Sequence, residues 1–351
     1  MNKNKIKVGI SHGDVNGISY EIIIKTLLDN RILELCTPIV YGSPKVAGYH
    51  RKVLNISNFS LNAIKTPDEA NPKRPNVVNC IEDNVRVELG KSTSTAGEAS
   101  FKALERATQD LKEGKIDVLV TAPINKKNIQ SRDFEFPGHT EYLKERFGSE
   151  EVLMLMVSDA MRIGVVAGHV PVNEISSCIT KENILQKLRI MHRTLLQDFA
   201  IRKPRIAVLG LNPHAGDDGL IGKEDKEIIL PAIMQAKDEG IAALGLYPAD
   251  GFFGSEHFNR FDAILAMYHD QGLIPFKALA FDAGVNFTAG LPAVRTSPAH
   301  GTAYDLAGLD KASPNSFRQA IYLGIDVFKN RQSFLELEKN TLPNYDLPEN
   351  E

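Results

Sequence analysis

Only three cysteines, Cys36, Cys80 and Cys178, occur among the 351 residues, and none is spaced Cys-x-x-Cys. Such a chain builds neither a disulfide framework nor a thiolate zinc site, and a reducing cytoplasm suits it. Long apolar runs are missing too. Stretches such as Val152 to Val157 are strand-length, far short of the ~20 residues of a membrane span. Met1 to Ile10 has lysines but no apolar core of a signal peptide. There is no basic excess either: the formal net charge is -3, so neither nucleic acid nor an anionic membrane is an expected partner, and any cation that matters acts locally. Two nucleotide motifs are also lacking. Gly90-Lys91-Ser92-Thr93 looks like the end of a P-loop, but Val85 stands where its upstream glycine is required. No Gly-x-Gly-x-x-Gly follows the first strand, so a nicotinamide cofactor would bind outside the usual dinucleotide fingerprint.

What is present is ordinary core material, with 43% hydrophobic and 24% charged residues, which argues for a folded protein of one large or two moderate domains. Short β-branched runs alternate with amphipathic segments, the pattern of strands joined by crossover helices, so the fold class is α/β. Expected strands are Ile6 to Ile10, Pro38 to Tyr41, Val118 to Thr121, Val152 to Val157, Ile163 to Ala167, Arg205 to Leu209 and Ala263 to Met267. Expected helices are Glu21 to Leu28, Gly97 to Gly114, Lys181 to Phe199, Glu224 to Glu239 and Ser316 to Asn330. The stretch from Val53 to Glu88, rich in Asn, Pro and Lys, reads as a surface excursion.

Chemistry concentrates in a few loops. Of nine histidines, His12, His50, His192 and His257 have no suggestive context and read as core or surface residues. His169, His214 and His269 each follow an expected strand. Three imidazoles on strand-end loops are the ligand set of an open divalent-metal site. Beside them lie anion-binding candidates. His139 and Thr140 stand at the start of a helix running from Glu141 to Phe147, where free amides suit a phosphate. Lys277, Asn286 and Arg295 are candidates for a phosphate clamp. The Arg295 segment, Gly290 to Pro298, reads as too rich in glycine and proline for an ordinary strand.

These segments resemble the 4-hydroxythreonine-4-phosphate dehydrogenase family of vitamin B6 biosynthesis. The matching pieces are Thr121-Ala122-Pro123-Ile124-Asn125-Lys126, Gly138-His139-Thr140-Glu141, Asn212-Pro213-His214-Ala215-Gly216 with Glu224-Asp225 following, Tyr268-His269-Asp270-Gln271-Gly272, and Val285-Asn286 through Gly308. The resemblance implies two α/β/α lobes flanking a cleft, similar to the isocitrate and isopropylmalate dehydrogenases. They form one catalytic unit over 1–345, approximately 1–135 plus 300–345 against 136–299, with a frayed tail at 346–351.

It further implies an NAD- or NADP-dependent, cytoplasmic homodimer that oxidises and decarboxylates 4-phosphooxy-L-threonine to 3-amino-2-oxopropyl phosphate. The small phosphorylated substrate would bind at His139, Thr140, Lys277, Asn286 and Arg295. Zinc, magnesium or cobalt would be held by His169, His214 and His269 in a site shared between subunits. One such division puts His169 and His214 on one chain and His269 on its partner. Lys277 and Asp250 are the catalytic candidates, and no residue is assigned to the nicotinamide. Alternatives are a paralogous dehydrogenase of 4-phospho-D-threonate or D-erythronate and, more distantly, a phosphotransacetylase-like transferase. The chain also departs from the family pattern at Val15, Asn16, Ser19 and Tyr20, at Gly251 and at Ala299. These departures point to altered substrate preference rather than lost chemistry.

Overall fold

The computed structural model describes residues 5–82, 85–280 and 282–340. Its strands are β1 (Ile6–Ser11), β2 (Cys36–Gly42), β3 (Asn62–Ile64), β4 (Asn76–Asn79), β5 (Val118–Thr121), β6 (Leu153–Val157), β7 (Arg162–Ala167), β8 (Arg205–Leu209), β9 (Ala242–Tyr247), β10 (Ala263–Tyr268), β11 (Val285–Ala289) and β12 (Val294–Pro298). They form one twelve-stranded sheet in the order β3-β4-β2-β1-β5-β12-β11-β6-β7-β10-β8-β9. The β1, β2, β4 and β5 strands run parallel, as do β7, β10, β8 and β9. Between these halves, β11 pairs antiparallel with both β12 and β6.

Helices connect the strands: α1 (Ser19–Leu27), α2 (Arg31–Leu35), α3 (Pro44–Val53), α4 (Ser94–Lys112), α5 (His139–Arg146), α6 (Ile175–Cys178), α7 (Lys181–Gln197), α8 (Leu230–Asp238), α9 (Ala249–Phe253), α10 (His269–Leu279) and α11 (Asn315–Lys339). Strands buried along their whole length, such as β2 and β5, read as continuous apolar runs because helices cover both faces. The architecture is α/β, as the alternation of elements requires.

Three local expectations are corrected. The stretch read as a surface excursion contains β3 and β4, which extend the sheet beyond β2; with three and four residues they are too short to carry a period. The Arg295 segment contains β12, all five residues buried. Its glycine and proline lie at the edges: Gly290, at φ 88°, opens the turn from β11, and Pro298 closes the strand. The segment from His269 to Lys277 is helical rather than a loop. Pro275 sits inside α10 and removes one backbone hydrogen bond, while buried Leu273 and Phe276 hold the helix to the sheet. In addition, the helix expected from Glu224 to Glu239 opens as a π-turn over Asp225–Ile229 before α8 begins, because Pro231 has no N–H to offer the preceding turn. The tail expected to fray at 346–351 lies outside the described residues.

His12 and His50 are core residues, their rings 5.3 and 5.1 Å from that of Tyr20. Burial pulls both down to a pKa of about 4, so they are neutral packing groups. The turn that departs from the family pattern is also absorbed by packing: Val15, Asn16, Ser19 and Tyr20 are all buried. The Asn16 side chain donates to the Lys91 carbonyl and accepts from the Glu88 amide, at 2.9 and 2.7 Å, tying down the P-loop-like segment ahead of α4.

The backbone of α4 passes so close to the loop after β5 that a Cβ at Gly97 would collide with the Asn128 carbonyl. We expect Gly97→Ala to destabilise the protein by about 1–3 kcal/mol, read as a lower denaturation midpoint with an unchanged m-value.

Candidate active site

The sheet order brings the C-terminal ends of β7, β10, β8 and β9 side by side, and from them emerge His169, His269, His214 and Asp250 in turn. Ligand sites of parallel α/β sheets form at such strand ends. A cavity of about 300 Å³ opens there, lined by His139, Thr140, His169, His269, Lys277, Asn286 and Arg295. Seven of the nine expected site residues therefore meet in one chain. His214 and Asp250 do not: both are exposed and neither lines this cavity.

Arg295 is the electrostatic centre. Its place on β12 points the guanidinium between the ends of two neighbouring strands. Nε and Nη2 donate to the Thr121 hydroxyl at 3.1 and 2.7 Å, and Nη1 donates to that of Thr288 at 3.1 Å. It is 2% exposed, yet no carboxylate pairs with it among the described residues. Burial lowers its pKa to about 10, opposed by the negative charge of Glu141, so it remains a cation at neutral pH. A buried cation without a counter-ion is costly unless an anion arrives to share its site.

The surroundings fit that anion. His139 opens α5, whose cap residue Gly138 carries no side chain to occupy the first-turn amides. Burial, then the charges of Arg295 and Lys126, hold the His139 pKa well below the ordinary imidazole value. It is therefore a neutral hydrogen-bonding group. The Nε2 atoms of His139 and His300 and the Oδ1 of Asn286 are buried without partners.

On the other wall the His169 and His269 rings lie 5.7 Å apart. Two imidazoles bound to one tetrahedral ion would have ring centres roughly 5 Å apart, so the pair fits a shared metal. The Nδ1 of His269 stands 2.7 Å from the Asp270 carboxylate and that of His169 4.0 Å from Glu141. The hydrogen-bonded carboxylate on His269 Nδ1 leaves its Nε2 free to bind a metal, the usual arrangement around bound metals, whereas the His169 contact is too long for a hydrogen bond. Burial and then the nearby Lys126 lower the His169 pKa, which favours the neutral, ligating form. No third ligand joins them: among the described residues no group of three His, Cys, Asp or Glu side chains could hold a metal. The expected division with His169 and His214 together is thus corrected, since the chain pairs His169 with His269.

His214 lies in an unusual turn. From His214 to Asp218 five successive residues have positive φ, at 55°, 53°, 82°, 44° and 54°, and only one of them is glycine. Left-handed backbone is strained for the other four, and strain of this kind concentrates at functional sites. Asp225 holds the turn by accepting from the Leu211 amide at 2.7 Å and the Asn212 side-chain amide at 2.7 Å.

Several cavity residues escaped sequence reasoning, among them Lys126, Leu273 and His300. A signal existed for one group: His269, Leu273 and Lys277 are spaced i, i+4, i+8, which places them along one helix face. The start of α1 is closed to a dinucleotide: Ser19, Tyr20 and Glu21 are buried and the Ile18 amide is bonded to the Thr302 carbonyl at 3.0 Å. Among the described residues no helix is long and apolar enough to cross a membrane.

With this geometry in view, comparison with known proteins is decisive. The family model described as pyridoxal phosphate biosynthetic protein PdxA matches residues 34–324. The chain belongs to the PdxA family. A 4-hydroxythreonine-4-phosphate dehydrogenase of Bacteroides thetaiotaomicron is 59% identical over 334 residues, covering 95% of this chain and 91% of the relative. A protein of Oceanobacillus iheyensis provisionally named D-threonate 4-phosphate dehydrogenase is 38% identical over 331 residues, covering 93% of this chain and 99% of its own. The crystal structure of a 4-hydroxythreonine-4-phosphate dehydrogenase from Klebsiella pneumoniae superposes with a TM-score of 0.80 at 32% identity, covering 93% of this chain and 100% of that one. PdxA-family membership accounts for the motifs around the cavity, which the family match spans from Ala122 to Gly301.

Proposed function

We propose that the protein oxidises the secondary alcohol of 4-phosphooxy-L-threonine with NAD or NADP and releases carbon dioxide, giving 3-amino-2-oxopropyl phosphate for pyridoxine 5'-phosphate synthesis. The observation that carries this reading is Arg295, a buried cation with no carboxylate partner among the described residues, at a cavity where His139 Nε2, His300 Nε2 and Asn286 Oδ1 also lack partners. That is a site prepared for a small anion, and both named relatives quoted above at 59% and 38% identity are phosphate-substrate dehydrogenases by name.

In this reading Arg295, His139, Thr140 and Asn286 hold the phosphate and orient the chain of the substrate. Lys277, on the α10 face that also carries His269, relays the proton released from the alcohol. When bound, a zinc, magnesium or cobalt ion would supply Lewis acidity to the alcohol and the ensuing ketone, and a nicotinamide would supply the hydride acceptor. His169 and His269 would hold that ion from one chain. The partner subunit's His214 would complete the set in a cytoplasmic homodimer, with Asp250 of the partner subunit beside it. Exposed apolar side chains support such pairing: Val172, Leu220 and Ile274 are 84%, 82% and 66% exposed, each a few residues beyond one of the three histidines. Exposed apolar side chains on the segments that carry the three histidines suit a protein interface.

The deciding experiment mixes purified protein with phosphorylated four-carbon acids, nicotinamide dinucleotide and a divalent ion, and follows reduced nicotinamide. No reduction with any of them would overturn the dehydrogenase reading. A second reading, oxidation of 4-phospho-D-threonate or D-erythronate, is favoured by Ala299, which lines the cavity where the resemblance leads one to expect an aspartate; the preferred substrate separates the two. Arg295→Ala should raise KM for the phosphorylated substrate by about 10–100-fold, the loss of one charge-assisted hydrogen bond, with a small change in kcat. Equal kinetics on phosphorylated and dephosphorylated substrates in the unaltered enzyme would remove the phosphate pocket.

A further inference from the structure

The loop after β5 is held with unusual care for a segment ending in a solvent-facing lysine. Asn125 Oδ1 accepts from the amides of Lys127 and Asn128 at 2.9 and 3.1 Å. Gln130 Nε2 donates to the carbonyls of Lys126 and Phe136 at 2.9 and 2.8 Å. Asn128 donates at 2.8 Å to the Asp14 carboxylate, which is fully buried and also accepts from Tyr304 at 2.7 Å. The backbone around Lys126 is thus anchored to the first strand's turn, while its ammonium has no ion pair among the described residues.

That ammonium faces the start of α5. A Cβ built on Gly138 would lie 3.6 Å from Lys126 Cε and 4.0 Å from Nζ, so the lysine arm runs alongside the residue whose carbonyl begins the helix. Lys126 lines the same cavity as Arg295, and its charge lowers the pKa of both His139 and His169. The cavity lining then carries the cations Arg295, Lys126 and Lys277 against the single carboxylate of Glu141. One guanidinium cannot neutralise a phosphate dianion; a second cation at the same helix N-terminus can.

We propose that Lys126 is a specificity-determining residue, the second cation that holds the substrate's phosphate at the N-terminus of α5. The inference rests on the phosphate-substrate reading above and adds a residue to it. A fixed backbone with a free ammonium lets the lysine meet the phosphate with little rearrangement, so its contribution falls on binding rather than on the chemical step.

The test is calorimetric titration of the metal-loaded, full-length protein with inorganic phosphate, alongside steady-state kinetics. Lys126→Gln should weaken phosphate binding roughly tenfold, a discount for its exposure already taken. It should raise KM for the phosphorylated substrate similarly and leave kcat within about twofold. Lys126→Arg should restore most of the affinity. Unchanged phosphate affinity in Lys126→Gln, with Arg295→Ala impaired, would overturn the assignment and leave the pocket intact. Equal losses on phosphorylated and dephosphorylated substrates would make Lys126 a structural residue and overturn it too. If neither unaltered protein nor Arg295→Ala binds phosphate, the phosphate reading itself falls, and this proposal with it. An unchanged thermal midpoint in Lys126→Gln excludes unfolding as the cause.

Discussion

His269→Ala should lower kcat by about three orders of magnitude, and removing the metal with a chelator should do the same. Lewis-acid stabilisation of developing charge is worth several kcal/mol, and each 1.36 kcal/mol is a factor of ten in rate. The fold should survive both treatments, because His269 is partly exposed at the first turn of α10. Metal content after dialysis should fall in His269→Ala, and zinc, cobalt or magnesium should restore activity only to the chelated wild-type protein. Full turnover after verified metal removal would sink the mechanism.

The second large effect concerns the division of the site between subunits. Homodimers of His214→Ala and of His269→Ala should each be inactive. In a heterodimer of the two, one site draws His169 and His269 from the first chain and His214 of the partner subunit, all unaltered, while the other site carries both lesions. About half the per-site activity should therefore return. His169→Ala mixed with His269→Ala supplies the contrast: those rings sit 5.7 Å apart in one chain, so every site in that heterodimer keeps one lesion and no activity should return. Recovery in the second mixture, or none in the first with heterodimers verified by mass, would refute this division.

Much of the site was legible before the fold was known. His139 and Thr140 were placed at a helix start, and α5 begins there. His169 and His269 were placed at strand ends, where they are found. Lys126 carries no local signal, because a lone lysine in a motif looks like any solvated lysine; its significance comes from Gly138 and α5, twelve and more residues away. Around Arg295, Gly290, Pro292 and Pro298 suggest an irregular segment, whereas those residues bound a strand. Departures at Val15, Asn16, Ser19 and Tyr20 looked like changes at a ligand and proved to be core packing. Only Ala299 among the departures reaches the cavity wall.

The sequence by itself determined the α/β class, most long strands and helices, the residue types of the proposed metal and anion site, and the family. Those properties are local: period, turn chemistry and motif spacing are written along the chain. Tertiary structure alone decided which residues meet. β10 inserts between β7 and β8 although it follows both in the chain, so His269 lands beside His169. The left-handed turn from His214 to Asp218 leaves the His214 imidazole exposed and outside the cavity. The burial that leaves Arg295 a cation in want of an anion likewise depends on β5 and β11 flanking β12. Sheet order is set by packing between segments far apart in sequence, and no local pattern records it.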